Sequence, residues 1–294
     1  MSTSYTSMHN HDRTGIFAGI GAYLIWGFLT IYWKTLEAVP LTELLAWRVA
    51  GCGVVAWLFV FLRRRMMKNK LITPRTLALL FTAALLIMGN WGLYTWAVSV
   101  EKILEASLGY YINPLVNVLL GVVFFSEKLT RMHYIAIFLA FGGVALITLE
   151  AGIFPWVSVS LAFLFGFYGV VVKHMPRKMD NIEILAWETA LFGPFAVAYL
   201  VYLAAMGDLH LWGYGFTTTS MLFMAGGVTF APLWLFGVGA RRIPLSAMGF
   251  LQFLTPTLML ILGIFVYGEP FGLLRGIAFA LVAAALALYA WTLL

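Results

Sequence analysis

Charge is scarce in this chain. Of its 294 residues only 10% are Asp, Glu, Lys or Arg, against 63% hydrophobic residues and a mean hydropathy of +0.95. A soluble globular domain typically carries about 25% charged residues, which excludes that class. Cysteine is almost missing as well. Cys52 stands alone, so neither an intramolecular disulfide nor a thiolate metal cluster can form within one chain, and a redox role is not expected. The five histidines, His9, His11, His133, His174 and His210, scatter over tails, loops and helix ends. They show no His-Glu metal spacing, and no Gly-Lys-Ser/Thr phosphate loop occurs. We therefore expect no catalytic residues, no metal and no cofactor, and the remaining enzyme reading is a membrane-embedded transferase acting through two buried charges described below. Without a nucleotide site, any driving force comes from an ion gradient, the membrane potential or the substrate gradient.

Long apolar runs are what the chain has in abundance. A spanning helix needs about 20 largely apolar residues, and ten such stretches are predicted, at 15–34, 41–62, 75–98, 104–125, 131–149, 154–172, 182–204, 217–239, 245–267 and 271–292. The breaks between them are short and leave no room for a soluble domain. Cytoplasmic loops accumulate Lys and Arg. Fourteen of the eighteen basic residues fall on one side if the N-terminus is inside: Arg13, Arg63–Arg65, Lys68, Lys70, Arg75, Lys128, Arg131, Lys173, Arg177, Lys178, Arg241 and Arg242. Glu37, Glu101, Glu150, Asp208 and Glu269 fall on the other side. The expected location is a bacterial inner membrane with both termini cytoplasmic. The pI near 9.4 then reflects topology, and the 63–75 cluster reads as an anchor near anionic lipid, not as a nucleic-acid site.

The chain also repeats itself. Leu-Thr-Glu-Leu-Leu-Ala-Trp at 41–47 returns as Asn-Ile-Glu-Ile-Leu-Ala-Trp at 181–187, and Lys34, Pro114, Gly121 and Glu127 find Lys173, Pro256, Gly263 and Glu269 at offsets of 139 to 142. Chance similarity between apolar helices would match Leu and Val; these matches include Glu, Trp and Pro. The predicted organisation is a cytoplasmic tail (1–14), a first five-helix repeat (15–149) and a second (150–294). The first apolar stretch is matched by 154–173, so it is expected to be retained and not cleaved as a signal. Five spans per repeat is an odd number, so the second copy must enter the membrane from the opposite side. The expected fold class is thus an all-α integral membrane protein of ten transmembrane helices in two inverted repeats. Secondary transporters commonly use such pairs, with substrate near the midplane and alternating access, although architecture alone cannot fix function.

The segment Gly-Asn-Trp-Gly-Leu-Tyr-Thr-Trp-Ala-Val (89–98), the segment Leu-Glu-Ala-Ser-Leu-Gly-Tyr-Tyr-Ile-Asn-Pro-Leu-Val-Asn-Val-Leu-Leu-Gly (104–121) and Ser-Glu-Lys-Leu (126–129) resemble the RarD branch of the EamA-type permeases in the drug/metabolite transporter superfamily. Thr229–Pro232, Gly249–Gln252, Thr255-Pro256 and Gly268-Glu269-Pro270 extend the resemblance over essentially the whole chain. The resemblance implies a carrier of small metabolites or drugs. RarD-type proteins are associated with chloramphenicol sensitivity, while the superfamily handles amino acids, nucleotide sugars, amphipathic compounds and lipid-linked sugars, so no substrate follows.

Two charges lie deep in predicted spans at equivalent places, Arg48 and Glu188, each roughly 12 Å beyond its helix opening at 1.5 Å per residue. A central charge costs about 3 kcal/mol on insertion scales and usually faces a bundle interior or aqueous cavity. Arg48 is expected to bind an anionic substrate group, and Glu188 a cationic group or a proton; a satisfied pair, or snorkelling, is the plainer alternative. Tyr110, Asn113 and Asn117 fall at i, i+3 and i+7 on one stripe past Pro114, and their repeat partners are Gln252, Thr255 and Met259 beside Pro256. Each proline removes a backbone donor and kinks or breaks its helix, so the fourth and ninth spans are expected to wall a cavity, with interhelical glue as the alternative role for the amides. Asn90 and Tyr94, at i and i+4, are expected to meet one ligand together, with Trp91 between them. Trp47 and Trp187, next to the embedded charges, are the tryptophans expected at the substrate. Trp33, Trp96, Trp156, Trp212 and Trp291 are assigned to interfacial belts. Glu127 and Glu269 end equivalent spans and are expected to gate or anchor. Glu43 and Glu183 open helices, where a carboxylate favours the positive end of the dipole. The Gly15-xxx-Gly19 spacing suits close helix packing.

The leading expectation is a secondary carrier for a small polar metabolite or drug, with proton or ion coupling resting on Glu188. A lipid-linked substrate flippase is the alternative, and a passive channel the third reading. Expected partners are the small-molecule substrate and membrane lipids. Small-residue faces serve intersubunit packing as readily as intrasubunit packing, so a homodimer stays open.

Overall fold

The computed structural model describes residues 12–63, 72–100, 103–152, 156–209, 213–266 and 272–291. They form eleven α-helices and, among the described residues, no strand. The helices are α1 (Arg13–Lys34), α2 (Leu41–Leu62), α3 (Pro74–Ser99), α4 (Ile103–Phe125), α5 (Arg131–Ala151), α6 (Trp156–His174), α7 (Asn181–Met206), α8 (Gly215–Arg242), α9 (Leu245–Gln252), α10 (Leu254–Phe265) and α11 (Leu273–Trp291).

Local chemistry sets several boundaries. Asp12 caps α1 by accepting from the amides of Thr14 (2.9 Å) and Gly15 (3.3 Å). Asp180 and Glu183 form a reciprocal capping box at the start of α7, so Glu183 acts as the helix-opening carboxylate its position suggests. α5 and α7 end at Gly152 (φ 67°) and Gly207 (φ 81°), in the left-handed conformation glycine adopts without a Cβ penalty.

The ninth predicted span is not one continuous helix. It breaks at Phe253, whose amide bonds back only three residues to Phe250 (3.2 Å). Pro256 explains the break: it has no N–H to offer the carbonyl of Gln252 and its ring crowds that carbonyl, so the chain restarts as α10 with proline in its first turn. α4, by contrast, runs through Pro114. Eight segments among the described residues are long and apolar enough to cross a membrane, counting Leu245–Phe265 as one, and Gly109–Phe125 and Gly276–Tyr289 are shorter apolar helices.

The two halves interleave. α1 packs on α8, α9 and α10, and α6 packs on α3 and α4; α2 packs on α7 and α8, and α7 on α2 and α3. α4 meets α9 and α5 meets α11. The pattern survives exchanging each helix of the first half with its repeat counterpart. Where α2 crosses α8 the backbones nearly touch: a Cβ on Gly226 would lie 2.1 Å from the carbonyl carbon of Gly51. Large apolar side chains face outward, Phe216 at 86% and Phe138 at 76% exposure among them, as suits a lipid-facing perimeter. The polar side chains Asn113, Asn117, Glu188, Thr229, Gln252 and Thr255 are buried.

Candidate functional site

Arg48, on α2, gathers side chains from four other helices. Its guanidinium carbon lies 4.6 Å from the ring centroid of Trp33 on α1 and 4.9 Å from that of Trp91 on α3. Its Nε donates to Thr229 Oγ1 on α8 at 3.3 Å, and Tyr94 and Tyr110 lie within electrostatic reach, their rings 6.5 Å apart and edge-on. Among the described residues no carboxylate pairs with it. Cation–π contacts are worth about 0.5–2 kcal/mol each, so two of them offset much of the ~3 kcal/mol cost of placing an arginine at depth. They do so without neutralising it. A half-buried, aromatic-flanked positive charge is well made to receive an anionic or electron-rich planar group.

A second polar centre joins α4 to α9. Asn117 Nδ2 donates to Asn113 Oδ1 at 3.0 Å and to Gln252 Oε1 at 2.9 Å, which uses both of its amide hydrogens. Its own Oδ1 is buried without a partner. The helices come this close because Gly249 has no side chain: a Cβ there would lie 2.6 Å from the Pro114 carbonyl oxygen. Thr255 donates to the carbonyl of Tyr23 at 2.9 Å, tying α10 to α1. The Asn113–Asn117–Gln252 cluster is therefore both enclosed from lipid and a bridge between the halves.

Glu188 forms a third centre, separate from Arg48. It is 1% exposed; Oε2 accepts from Tyr168 Oη at 3.3 Å, and Oε1 has no partner. Tyr168 stacks on Phe236 (5.9 Å, 19°), against which Tyr23 also packs edge-on. Buried Cys52, one turn beyond Arg48, lies within electrostatic reach of both charges. Among the described residues Arg48 and Glu188 make no ion pair with each other.

Glu127, at the far end of α4, caps a helix of the other half. Its carboxylate accepts from the amides of Leu245 (2.6 Å) and Ser246 (3.0 Å) and from Ser246 Oγ (2.6 Å). α9 opens at Pro244 with no side-chain cap of its own, so Glu127 meets its unpaired amides and positive dipole end. Lys173 completes the joint: Nζ donates to the Ile243 carbonyl and stands 4.0 Å from Glu127 Oε1.

The other predicted residues divide. Trp47 packs edge-on against Phe223 (5.0 Å) and Trp187 against Trp57 (6.0 Å), so neither is a ring that flanks Arg48. That position belongs to Trp91 and to Trp33, which the sequence assigns to the interfacial belt. Asn90 directs its amide to the Leu161 carbonyl on α6 (2.9 Å), while Tyr94 lies in the Arg48 group. Glu43 is buried and accepts from Tyr214 Oη at 3.1 Å. Glu269 lies outside the described residues. Among the described residues no group of His, Cys, Asp and Glu is placed to hold a metal ion.

The description of the EamA-like transporter family matches residues 13–149 and again 155–291. The chain belongs to the EamA-like transporter family. A RarD protein of Streptomyces exfoliatus is 38% identical across 96% of this chain and 90% of its own length. An uncharacterized transporter, YojE, of Bacillus subtilis (strain 168) is 37% identical across 97% and 96%. The chain is thus a RarD-type EamA permease, a multi-pass membrane protein whose relatives carry transporter names and not enzyme names. A solved crystal structure at 18% identity superimposes with a TM-score of 0.74 over 95% of this chain and 97% of its own, a likeness of fold. The Arg48 group thus belongs to a transporter, and Thr229, its hydrogen-bond partner, falls within the second match.

Proposed function

We propose that this EamA-like protein is a secondary carrier of small metabolites or drugs, working by alternating access between two inverted five-helix repeats, 15–149 and 150–294. The repeats together supply ten spans, with α9 and α10 acting as one interrupted span. The protein resides in a bacterial inner membrane with both termini cytoplasmic. Substrate occupies the space bounded by Arg48, Trp33, Trp91, Tyr94 and Tyr110, and the amide cluster of Asn113, Asn117 and Gln252 joins the helices that move. Glu188 supplies proton coupling, since one of its buried oxygens has no partner. The observation that carries the reading is Arg48, a positive charge inside the helix bundle held by rings and not by a carboxylate.

The test is uptake into proteoliposomes across a panel of amino acids, sugars and aromatic drugs, with chloramphenicol as the first drug. A carrier saturates and shows counterflow. Arg48→Ala should insert and fold yet lose at least about tenfold in transport, the scale of losing a charge-assisted contact. Arg48→Lys should recover part of it, keeping charge but not the planar stack. Normal transport by Arg48→Ala would end this reading, and translocation of a lipid-linked sugar with no uptake of the panel would make the protein a flippase. Rates indifferent to an imposed pH gradient would remove the proton from the scheme.

A further inference from the structure

Four helix ends converge on one side of the molecule around a lateral groove of about 660 Å³. Arg13 opens α1, Arg63 caps the end of α2, Arg242 ends α8 and Asp180 precedes α7; all four line the groove. Its deeper wall is apolar. Phe17, one turn into α1, is 70% exposed, and Val238 and Trp234 continue the wall one and two turns below Arg242. Eight residues separate Trp234 from Arg242, so the groove descends roughly 12 Å at 1.5 Å per residue. The charges do not cancel inside it. The Asp180 carboxylate is engaged by the amide of Ile182 at 2.9 Å. Asp12 pairs with Arg242 at 2.8 Å. Desolvation works against Asp12 ionising, but hydrogen bonds from Arg242 and the Gly15 and Thr14 amides outweigh it and hold its carboxyl below the ordinary aspartate value. Arg13 and Arg63 have no acidic partner among the described residues.

We infer that this groove is a binding site for one anionic phospholipid, its phosphate held by Arg13 and Arg63 and its acyl chain laid over Phe17, Trp234 and Leu235. The charge is complementary to a phosphate, it sits where four apolar helices end, and the wall beneath it runs in the direction of an acyl chain. A free anion would use the arginines and leave Phe17 bare. A zwitterionic lipid would use the wall and bring its own positive charge to the arginines.

The full-length protein, purified in detergent, would be mixed with equal amounts of phosphatidylglycerol and phosphatidylcholine of matched chains, and retained lipid counted by native mass spectrometry. Phosphatidylglycerol should be retained in about thirtyfold preference, at one per chain, as expected from two basic residues near the surface. Arg13→Ala/Arg63→Ala should abolish the preference, and each single variant should lower it about fivefold. Lys128→Ala/Arg131→Ala removes two exposed basic residues outside the groove and should change nothing. Glycerol phosphate, which carries the anion without chains, should not displace the lipid at matched concentration. Equal retention of the two lipids, an undiminished preference in the groove variants, an equal loss in the Lys128/Arg131 control, or displacement by glycerol phosphate would each overturn the proposal.

Discussion

At the scale of single residues, Asn117 commits both of its amide hydrogens inside the bundle. Fully buried, it gives one hydrogen to its own helix at Asn113 and one to the other half at Gln252. Interhelical bonds within membranes are worth about 1 kcal/mol each, less than the cost of leaving a buried acceptor bare. Asn117→Ala strands two acceptors, so it should destabilise the purified protein by about 1–3 kcal/mol in denaturant unfolding. Gln252→Ala removes one bond and should cost less. The double variant should cost less than the sum, with a coupling of about 0.5–1.5 kcal/mol. Strict additivity would mean that the two amides do not meet. Both asparagines and Gln252 were readable in the sequence as a stripe at helical spacing. Their mutual bonding was not, because spacing places residues on a face without saying whether that face meets a ligand or another amide. Trp33 marks a similar limit. One residue from the end of α1 it looks like a belt tryptophan, and only the folded chain brings its ring to 4.6 Å from the Arg48 guanidinium.

At the scale of helices, two joints decide whether the halves hold together. In the first, the Glu127 carboxylate, two residues past the end of α4, supplies the missing cap of α9. Charge-assisted hydrogen bonds contribute about 1.5–3 kcal/mol each, and removing this acceptor exposes several donors together. Glu127→Ala should therefore destabilise the protein by about 2 kcal/mol or more, and Glu127→Gln, which keeps an accepting oxygen, by less. Equal melting temperatures for Glu127→Ala and the unaltered protein would show that the cap carries no weight. In the second joint, the backbones of α2 and α8 meet at Gly51 and Gly226. Gly226→Ala forces a carbon to 2.1 Å from the Gly51 backbone, so the helices must part, and over-packing of this kind costs about 1–3 kcal/mol. Gly92→Ala, where the added carbon would meet nothing within 4 Å, is the matched control and should be neutral. The apolar runs located nearly every helix, since length and hydropathy suffice for that. The break at Phe253 is signalled by Pro256 and not by the apolar runs, because hydropathy is blind to the carbonyl that the proline leaves without a donor.

At the scale of the whole molecule, orientation is the property on which the carrier reading and the lipid groove both depend. The basic residues cluster at one end of the bundle, where Arg13, Arg63, Arg241 and Arg242 come together at the ends of α1, α2 and α8. The positive-inside tendency predicts that this end faces the cytoplasm. The chain offers an unusually simple way to check this. Cys52 is its only cysteine and is fully buried, so Cys52→Ala yields a cysteine-free background with a small change of volume. Asp208, just past the end of α7, and Lys178, just before its start, are exposed at opposite ends of one helix. In intact cells a membrane-impermeant maleimide should label Asp208→Cys and leave Lys178→Cys untouched, and permeabilising the inner membrane should expose the second. The reverse pattern would turn the molecule over, carrying Arg48 to the opposite side of the midplane and the arginine groove to the outer leaflet. Labelling of both positions without permeabilisation would mean that α7 does not cross the bilayer, and the five-span repeat would then lose the odd number from which its inversion is argued.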